Sequence, residues 1–228
     1  MSSTPKSITM FLADNNLILR NVFRAFWYIS LLFFTYLMLL ITLQYVPARL
    51  DVAFLRVKDN VTGLLHYRIA FFTHVYTSII VLLTGIVQCS DYIRHRFKSL
   101  HRIAGRIYVM LILLFAGPSG LVMGYYGNGG WTAQIAFCLL AILWIYFTYR
   151  GFMSAIQGNF NAHRNWMYRS YALTLSAISL RLWKWLIILV FHARPMDAYQ
   201  VVAWLGWTGN LLVAELIILT LNRQKTNK

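Results

Sequence analysis

The chain has 228 residues, 59% hydrophobic and 12% charged, with a mean hydropathy of +0.59. A soluble domain is nearer half apolar and a quarter charged, so this composition excludes a soluble globular domain, a disordered chain and a fibrous repeat. The formal net charge of +15 accompanies apolar stretches, which favours anionic lipid headgroups over nucleic acid as the partner of the basic residues. We therefore expect an integral membrane protein in contact with the lipid bilayer, and no nucleic-acid partner.

The apolar stretches define six predicted spans. Residues 1–25 precede them as a cytoplasmic or interfacial segment, for which an interfacial helix and a flexible tail are equally supported. A crossing needs about 20 mainly apolar residues. The stretches that qualify are 26–46, 69–89, 103–125, 132–149, 166–191 and 199–221. Residues 26–222 are thus predicted to form one all-α domain, a bundle of six transmembrane helices, and residues 223–228 a basic tail.

The basic residues predict the orientation of the bundle. Of the 21 Lys and Arg residues, 14 lie at the end that holds both termini, 5 at the other end and two inside the fifth span. Cytoplasmic ends of membrane helices carry an excess of Lys and Arg. We therefore expect both termini in the cytoplasm.

Two histidines open spans at the same predicted depth. His101 begins the third span and His163 the fifth, on helices that run in the same direction. Two neutral imidazoles so placed can ligate one heme iron from both faces, and Gly105, one turn above His101, leaves room for a porphyrin. The neighbouring arginines are candidates for binding its propionates: Arg102, Arg106 and Arg164. The alternative is that these His-Arg pairs are interfacial residues that contact lipid phosphate.

Two further histidines lie towards the opposite side. His74 is inside the second span and His192 ends the fifth. A second heme between them is one hypothesis, although their predicted depths differ by about two helical turns. The other is that His74 bonds to a facing hydroxyl or carbonyl group.

The fifth span has a polar face. At 100° per residue its polar side chains form one stripe along a straight helix: His163, Ser170, Thr174, Arg181, Lys184 and His192. The stripe indicates either a lined cavity, a cofactor wall or a proton path, or a packing seam. Arg181 lies roughly 15 Å from the outer end, too deep to snorkel easily. Backbone carbonyls, Asn210, an anionic ligand group or a propionate are its candidate partners.

Glu215 is the single carboxylate within the predicted spans. It lies about 9 Å from the inner end of the sixth span, and Arg169 about 5 Å deep in the fifth. The matching depths predict an ion pair that ties two helices together rather than a catalytic pair.

Other chemistry has little support in the sequence. Pro118 predicts a kink in the third span. The chain has no nucleophile elbow, P-loop, paired carboxylates or zinc-protease motif, so hydrolase and ATPase chemistry is unsupported. No catalytic residue is predicted, and whether the protein is an enzyme stays open.

Four ordered motifs within roughly residues 65–220 resemble DUF2306, a family of bacterial predicted membrane proteins. They are His101-Arg-x-x-Gly-Arg-x-Tyr108, His163-Arg-x-Trp-Met-x-Arg169-Ser-x-Ala172, Leu180-Arg181 and Trp207-x-x-Asn210-Leu-x-x-Ala-Glu215. The resemblance implies a helical bundle in a bacterial inner membrane, with no established activity. A weaker likeness connects the chain with diheme b-type transmembrane cytochromes, which place two histidine pairs well inside four consecutive helices. The fourth span here has no histidine, which leaves a single heme or none.

Three functional hypotheses follow. The first is heme b held between His101 and His163 for electron transfer with a quinone. The second is a non-redox module that binds or transports an anionic lipid or a small anion. The third is a structural or assembly subunit in which the motifs only tie helices together.

Overall fold

The computed structural model describes the backbone of residues 6–226, and their side chains except for residues 6–18, 20, 53, 57, 59, 195, 225 and 226. Helices make up 88% of the structure, with no strand in the described part, which confirms the predicted all-α class. The helices are α1 (Lys6–Leu43), α2 (Asp59–Thr62), α3 (Leu65–Cys89), α4 (Asp91–Arg96), α5 (Lys98–Leu111), α6 (Gly117–Tyr125), α7 (Gly130–Ile156), α8 (Phe160–Thr174), α9 (Ser176–Phe191) and α10 (Pro195–Thr226). A short 3₁₀ turn at Ala53–Val57 precedes α2.

Hydropathy and length identify five continuous membrane spans among the described residues. They are Asn21–Leu43, Leu65–Cys89, Lys98–Tyr125, Gly130–Ile156 and Met196–Gln224. A sixth crossing exists when α8 and α9, which are bent by 42° relative to each other, are taken as one broken span. The bundle of membrane helices is therefore confirmed, with five continuous candidate spans and a sixth if the bent pair is one crossing.

The fifth predicted span is the one that differs from its prediction. We expected a single straight helix over 166–191, whereas the structure begins this crossing at Phe160 and breaks it at Leu175. The chain contains no glycine or proline between these helices to announce the break. A stripe calculated for one straight helix therefore does not run along a single face here.

The third crossing contains an irregular turn just before its proline. A wider, π-helical turn at Ile112–Ala116 joins α5 to α6, and Pro118 lies in the first turn of α6. Proline is tolerated at the start of a helix because its missing N–H would have no intrahelical partner there. The structure thus has a π-helical turn, which is itself a common cause of kinks, next to the position where Pro118 predicts one.

The first helix is longer than its predicted span. From Lys6 to Leu43 the backbone is one helix, whose membrane span begins at Asn21, so residues 6–20 extend the helix ahead of the span. Residues 1–5 and the last two residues of the predicted basic tail lie outside the described residues.

The helices pack around α3, which contacts α1, α5 and α6, while α7 contacts α6, α8 and α10. The connection 44–64 folds back onto the bundle, where Leu55 and Val61 are buried against Tyr45, Tyr67 and Phe71. We call this end of the bundle the loop end. The opposite end, which holds α4 and the α7–α8 turn, is called the termini end.

Candidate ligand-binding cavity

The predicted heme histidines both lie at the termini end. The Nδ1 atom of His163 is 2.8 Å from the carbonyl oxygen of Gly151, and the Nδ1 atom of His101 is buried with no hydrogen-bond partner. The two imidazoles are close enough to interact electrostatically. The structure therefore brings these two residues to one region, as their positions in the sequence predicted.

The space that a porphyrin would need beside His101 is filled. A Cβ atom at Gly105 would lie 3.3 Å from Oε1 of Gln88, whose amide also donates to the carbonyl oxygen of His101 at 2.7 Å. Arg102 and Arg106 are exposed, while Arg164 donates to Asn222 of α10 at 3.1 Å. Gln88 thus fills the space beside Gly105 that the sequence analysis assigned to a porphyrin.

The predicted ion pair between Arg169 and Glu215 is present. Nε and Nη2 of Arg169 donate to the two carboxylate oxygens of Glu215, at 2.5 and 2.8 Å. Close by, Asn210 donates to the carbonyl oxygen of Ala172 and accepts from Ser179. These contacts join α8 and α9 to α10, and they make this set of residues a helix tie.

A buried hydroxyl network occupies the middle of the bundle. The hydroxyl of Tyr108 lies 2.9 Å from that of Ser170 and 2.8 Å from that of Thr174. Thr148 bonds to Ser170, and the indole N–H of Trp144 donates to Thr174. Two members of the predicted stripe, Ser170 and Thr174, are therefore partners in a network that joins α5, α7 and α8.

The outer part of the predicted stripe separates into two environments. Arg181 and Lys184 of α9 line a cavity, whereas His192 lies beyond the end of α9 in the left-handed conformation (φ 49°), exposed and outside the cavity lining. The structure therefore does not bring His192 and His74 to one cavity wall, because the chain turns at the end of α9.

The cavity has a volume of about 480 Å³ and extends to the loop end, where Lys58 and Tyr126 belong to its lining. Its walls are mostly apolar and aromatic, with side chains such as Phe71, Leu82 and Trp144. Three cationic side chains also line it: Lys58, Arg181 and Lys184. No carboxylate belongs to the lining that the described residues form. An apolar cavity with unbalanced positive charge is a site for a ligand that combines an apolar body with an anionic group.

Arg181 and Lys184 each have N–H donors that remain available to a ligand. Arg181 is exposed, donates to the carbonyl oxygen of Ala177 at 2.6 Å and belongs to the cavity lining. The ammonium of Lys184 lies 5.3 Å from the centre of the Tyr199 ring. A guanidinium has five N–H donors and an ammonium three, so one contact leaves most of them free for an anion.

Lys58 comes from the connection that closes the loop end. Its side chain is 4% exposed, and its ammonium donates to the carbonyl oxygen of Tyr126. Burial lowers the pKa of Lys58, because charge is disfavoured away from water. An anion beside it would offset that cost.

His74 is the histidine that borders the cavity. Its Nδ1 atom is 2.8 Å from the carbonyl oxygen of Ala116, and because a carbonyl only accepts, Nδ1 carries the proton. The ring packs against Gly120, where a Cβ atom would lie 2.9 Å from Cε1, and its edge contacts Trp144. Nε2 is left as an unprotonated acceptor, with no hydrogen bond to the described residues.

Sequence reasoning missed the residues that close this cavity. The sequence marks Lys58 only as one of the five basic residues at the end opposite the termini, and no motif includes Tyr126. Tyr45 and Tyr199 carried no signal, because aromatic residues at span ends are common at membrane interfaces. Lys184 belongs to the predicted polar stripe, which indicates a packing seam as well as a lined cavity. These residues meet because of the way the connection 44–64 folds, and the periodicity of hydropathy along the sequence does not predict that fold.

One comparison with known proteins gives a match. The family model described as "Predicted membrane protein (DUF2306)" matches residues 71–218, which is more than half of the chain and includes most of the helices around the cavity. No curated protein and no solved structure matches.

Proposed function

Since the chain belongs to the DUF2306 family of predicted membrane proteins, we propose that it is a membrane module whose cavity binds an amphipathic anion. The single observation that carries this function is the composition of the cavity. Lys58, Arg181 and Lys184 line it without a carboxylate among the described lining residues.

A bound anion would compensate the charge of the cations in the cavity lining. A cation inside a membrane protein is costly unless a partner compensates it, and such residues mark ligand or ion pathways. Charge-assisted hydrogen bonds from guanidinium and ammonium groups to a carboxylate or phosphate supply that compensation. The apolar walls at Phe71 and Leu82 suit the remainder of an amphipathic molecule.

We further place the protein in the bacterial inner membrane with both termini in the cytoplasm. The excess of basic residues at the termini end supports this orientation. The loop end of the cavity then lies towards the outer face, and the exposed arginines of α5 lie where anionic lipid headgroups of the inner leaflet contact them.

Native mass spectrometry of the purified chain tests the proposal. We expect the wild type to retain an anionic amphiphile and Arg181→Ala to lose it. Arg194→Ala is the matched control, since Arg194 is 88% exposed at the same end and pairs with Asp197 outside the cavity. Equal ligand retention in the wild type and Arg181→Ala would contradict the proposal and favour a structural subunit.

A second candidate function is heme b between His101 and His163, exchanging electrons with a quinone. The observation that favours it is the buried, unpartnered Nδ1 atom of His101 beside a second histidine. It requires Gln88 to leave the space next to Gly105. A dithionite-reduced absorption spectrum with a sharp α-band, lost in both His101→Ala and His163→Ala, would support this function.

A further inference from the structure

We infer that the cavity takes an iron tetrapyrrole, with His74 as an axial ligand and the cationic side chains bound to its carboxylates. This inference rests on the proposed function, since it names the chemical class of the amphipathic anion. It differs from the heme hypothesis at the termini end, because it uses another histidine, another end of the bundle and a cavity that is present.

The state of His74 is the first step. Metal-bound histidines almost always donate their second ring N–H to a carbonyl or carboxylate, which fixes the tautomer and the ring plane. His74 shows this arrangement, with Nδ1 bonded to the carbonyl oxygen of Ala116 and Nε2 left with its lone pair. His74 belongs to the cavity lining, and no described residue forms a hydrogen bond with its Nε2 atom.

The ring is also held in position. The close approach to Gly120 and the edge contact with Trp144 restrict its rotation. An ionisable side chain inside a membrane bundle is a functional candidate by default. A fixed imidazole lone pair at a cavity wall is what a metal-containing ligand requires.

The cations supply the second step. Arg181 lies near enough to His74 to interact with it electrostatically, and it shares the cavity with Lys58 and Lys184. A tetrapyrrole with carboxylate side chains presents anionic groups at one edge of an apolar disc. A cavity that has a histidine on α3 and cations on α9 and the loop-end connection therefore matches its two kinds of polar group.

The third step is the absence of another kind of metal site. Among the described residues no group of three or more His, Cys, Asp and Glu side chains is arranged to hold a bare metal ion. A tetrapyrrole brings four equatorial nitrogens of its own, so the protein needs to provide only axial ligation. A single histidine at the cavity suits a ligand of this class and does not suit a free ion.

Titration of the purified full-length chain with hemin tests the inference. We expect a saturable Soret shift for the wild type and a loss of affinity of roughly tenfold or more in His74→Ala. Imidazole added to His74→Ala should restore the band, because it replaces the missing ligand without repairing a folding defect. His192→Ala, an exposed histidine outside the cavity lining, is the matched control and should titrate like the wild type.

The other outcomes separate this inference from the proposed function. A Soret band that survives in His74→Ala and disappears in His101→Ala would overturn the inference and move the iron to the termini end. A dansyl-labelled fatty acid serves as a second probe. If hemin does not bind saturably but this probe binds and is lost in Arg181→Ala, the tetrapyrrole is wrong and the anion cavity stands. If neither probe binds, both proposals fail.

Discussion

Lys58 is the single residue that we expect to make anion binding in the cavity depend on pH. Because burial lowers its pKa, it loses its proton at a lower pH than a solvent-exposed lysine. An anion binds the protonated form, so anion affinity should fall as the pH rises through that lowered pKa. In Lys58→Arg the fall should disappear from this range, because guanidinium stays charged. Fluorescence of a dansyl-labelled fatty acid between about pH 7 and pH 10 measures the profile.

Lys98→Arg is the control for this experiment, since Lys98 is an exposed lysine at the termini end. Its profile should match that of the wild type. The same decline of affinity in Lys58→Arg and in the wild type would show that another group governs the pH dependence.

Gly120 limits the position of His74. A Cβ atom there would lie 2.9 Å from Cε1 and 3.0 Å from Nδ1 of the ring, closer than real Cβ contacts. Since the hydrogen bond to Ala116 and the contact with Trp144 hold the ring, we expect Gly120→Ala to displace it. Hemin affinity should fall roughly tenfold, and overpacking should cost about 1–3 kcal/mol of stability. Soret titration and thermal unfolding measure the two effects.

Gly209→Ala is a matched comparison on α10, because nothing lies within 4 Å of its added Cβ atom. It should leave hemin affinity unchanged and stabilise the helix slightly, by up to about 1 kcal/mol. Equal hemin affinities in the two alanine variants would mean that His74 is not held as described.

The ion pair between Arg169 and Glu215 holds two helices together, since it joins α8 to α10. The two side chains are 22% and 43% exposed, so water compensates an unpaired charge only in part. We expect Glu215→Leu to cost about 1–3 kcal/mol, between the values for surface and fully buried pairs. The double variant with Arg169→Leu should recover part of this loss, because no unpaired cation remains. Thermal unfolding in detergent measures both.

The pair of Arg194 and Asp197 provides the control, with side chains 88% and 61% exposed. Asp197→Asn should change stability by about 0–1 kcal/mol at most. If Glu215→Leu is as mild as this control, the pair does not hold the helices together.

Element boundaries show where sequence reasoning succeeded and where it stopped. Pro118 correctly predicted an irregularity in the third crossing, although the π-helical turn lies about one turn before the proline. The break at Leu175 had no such residue. There Thr174 bonds to Tyr108, Trp144 and its own helix, so the last turn of α8 is held by neighbouring helices. A break maintained by tertiary contacts leaves no trace in local periodicity.

At the scale of the molecule, the spans were predictable and the cavity was not. A bilayer requires long apolar helices whose backbone N–H and C=O groups are hydrogen-bonded within the helix. The apolar stretches of the sequence therefore reveal the spans. The Arg169–Glu215 pair also followed from matching depths. The cavity depends on how residues 44–64 fold over the loop end, which buries Leu55 and brings Lys58 beside Tyr126. No repeat or period records that folding.

The orientation of the whole bundle decides which compartment the cavity faces, and it can be tested with two introduced cysteines in a background where Cys89 and Cys138 are replaced by alanine. Asn60→Cys is exposed at the loop end and Gln157→Cys at the termini end. If basic residues keep the termini end in the cytoplasm, a membrane-impermeant maleimide should label Asn60→Cys in intact spheroplasts. Gln157→Cys should react only after permeabilisation. The opposite pattern would invert the bundle and place the loop end of the cavity on the cytoplasmic side.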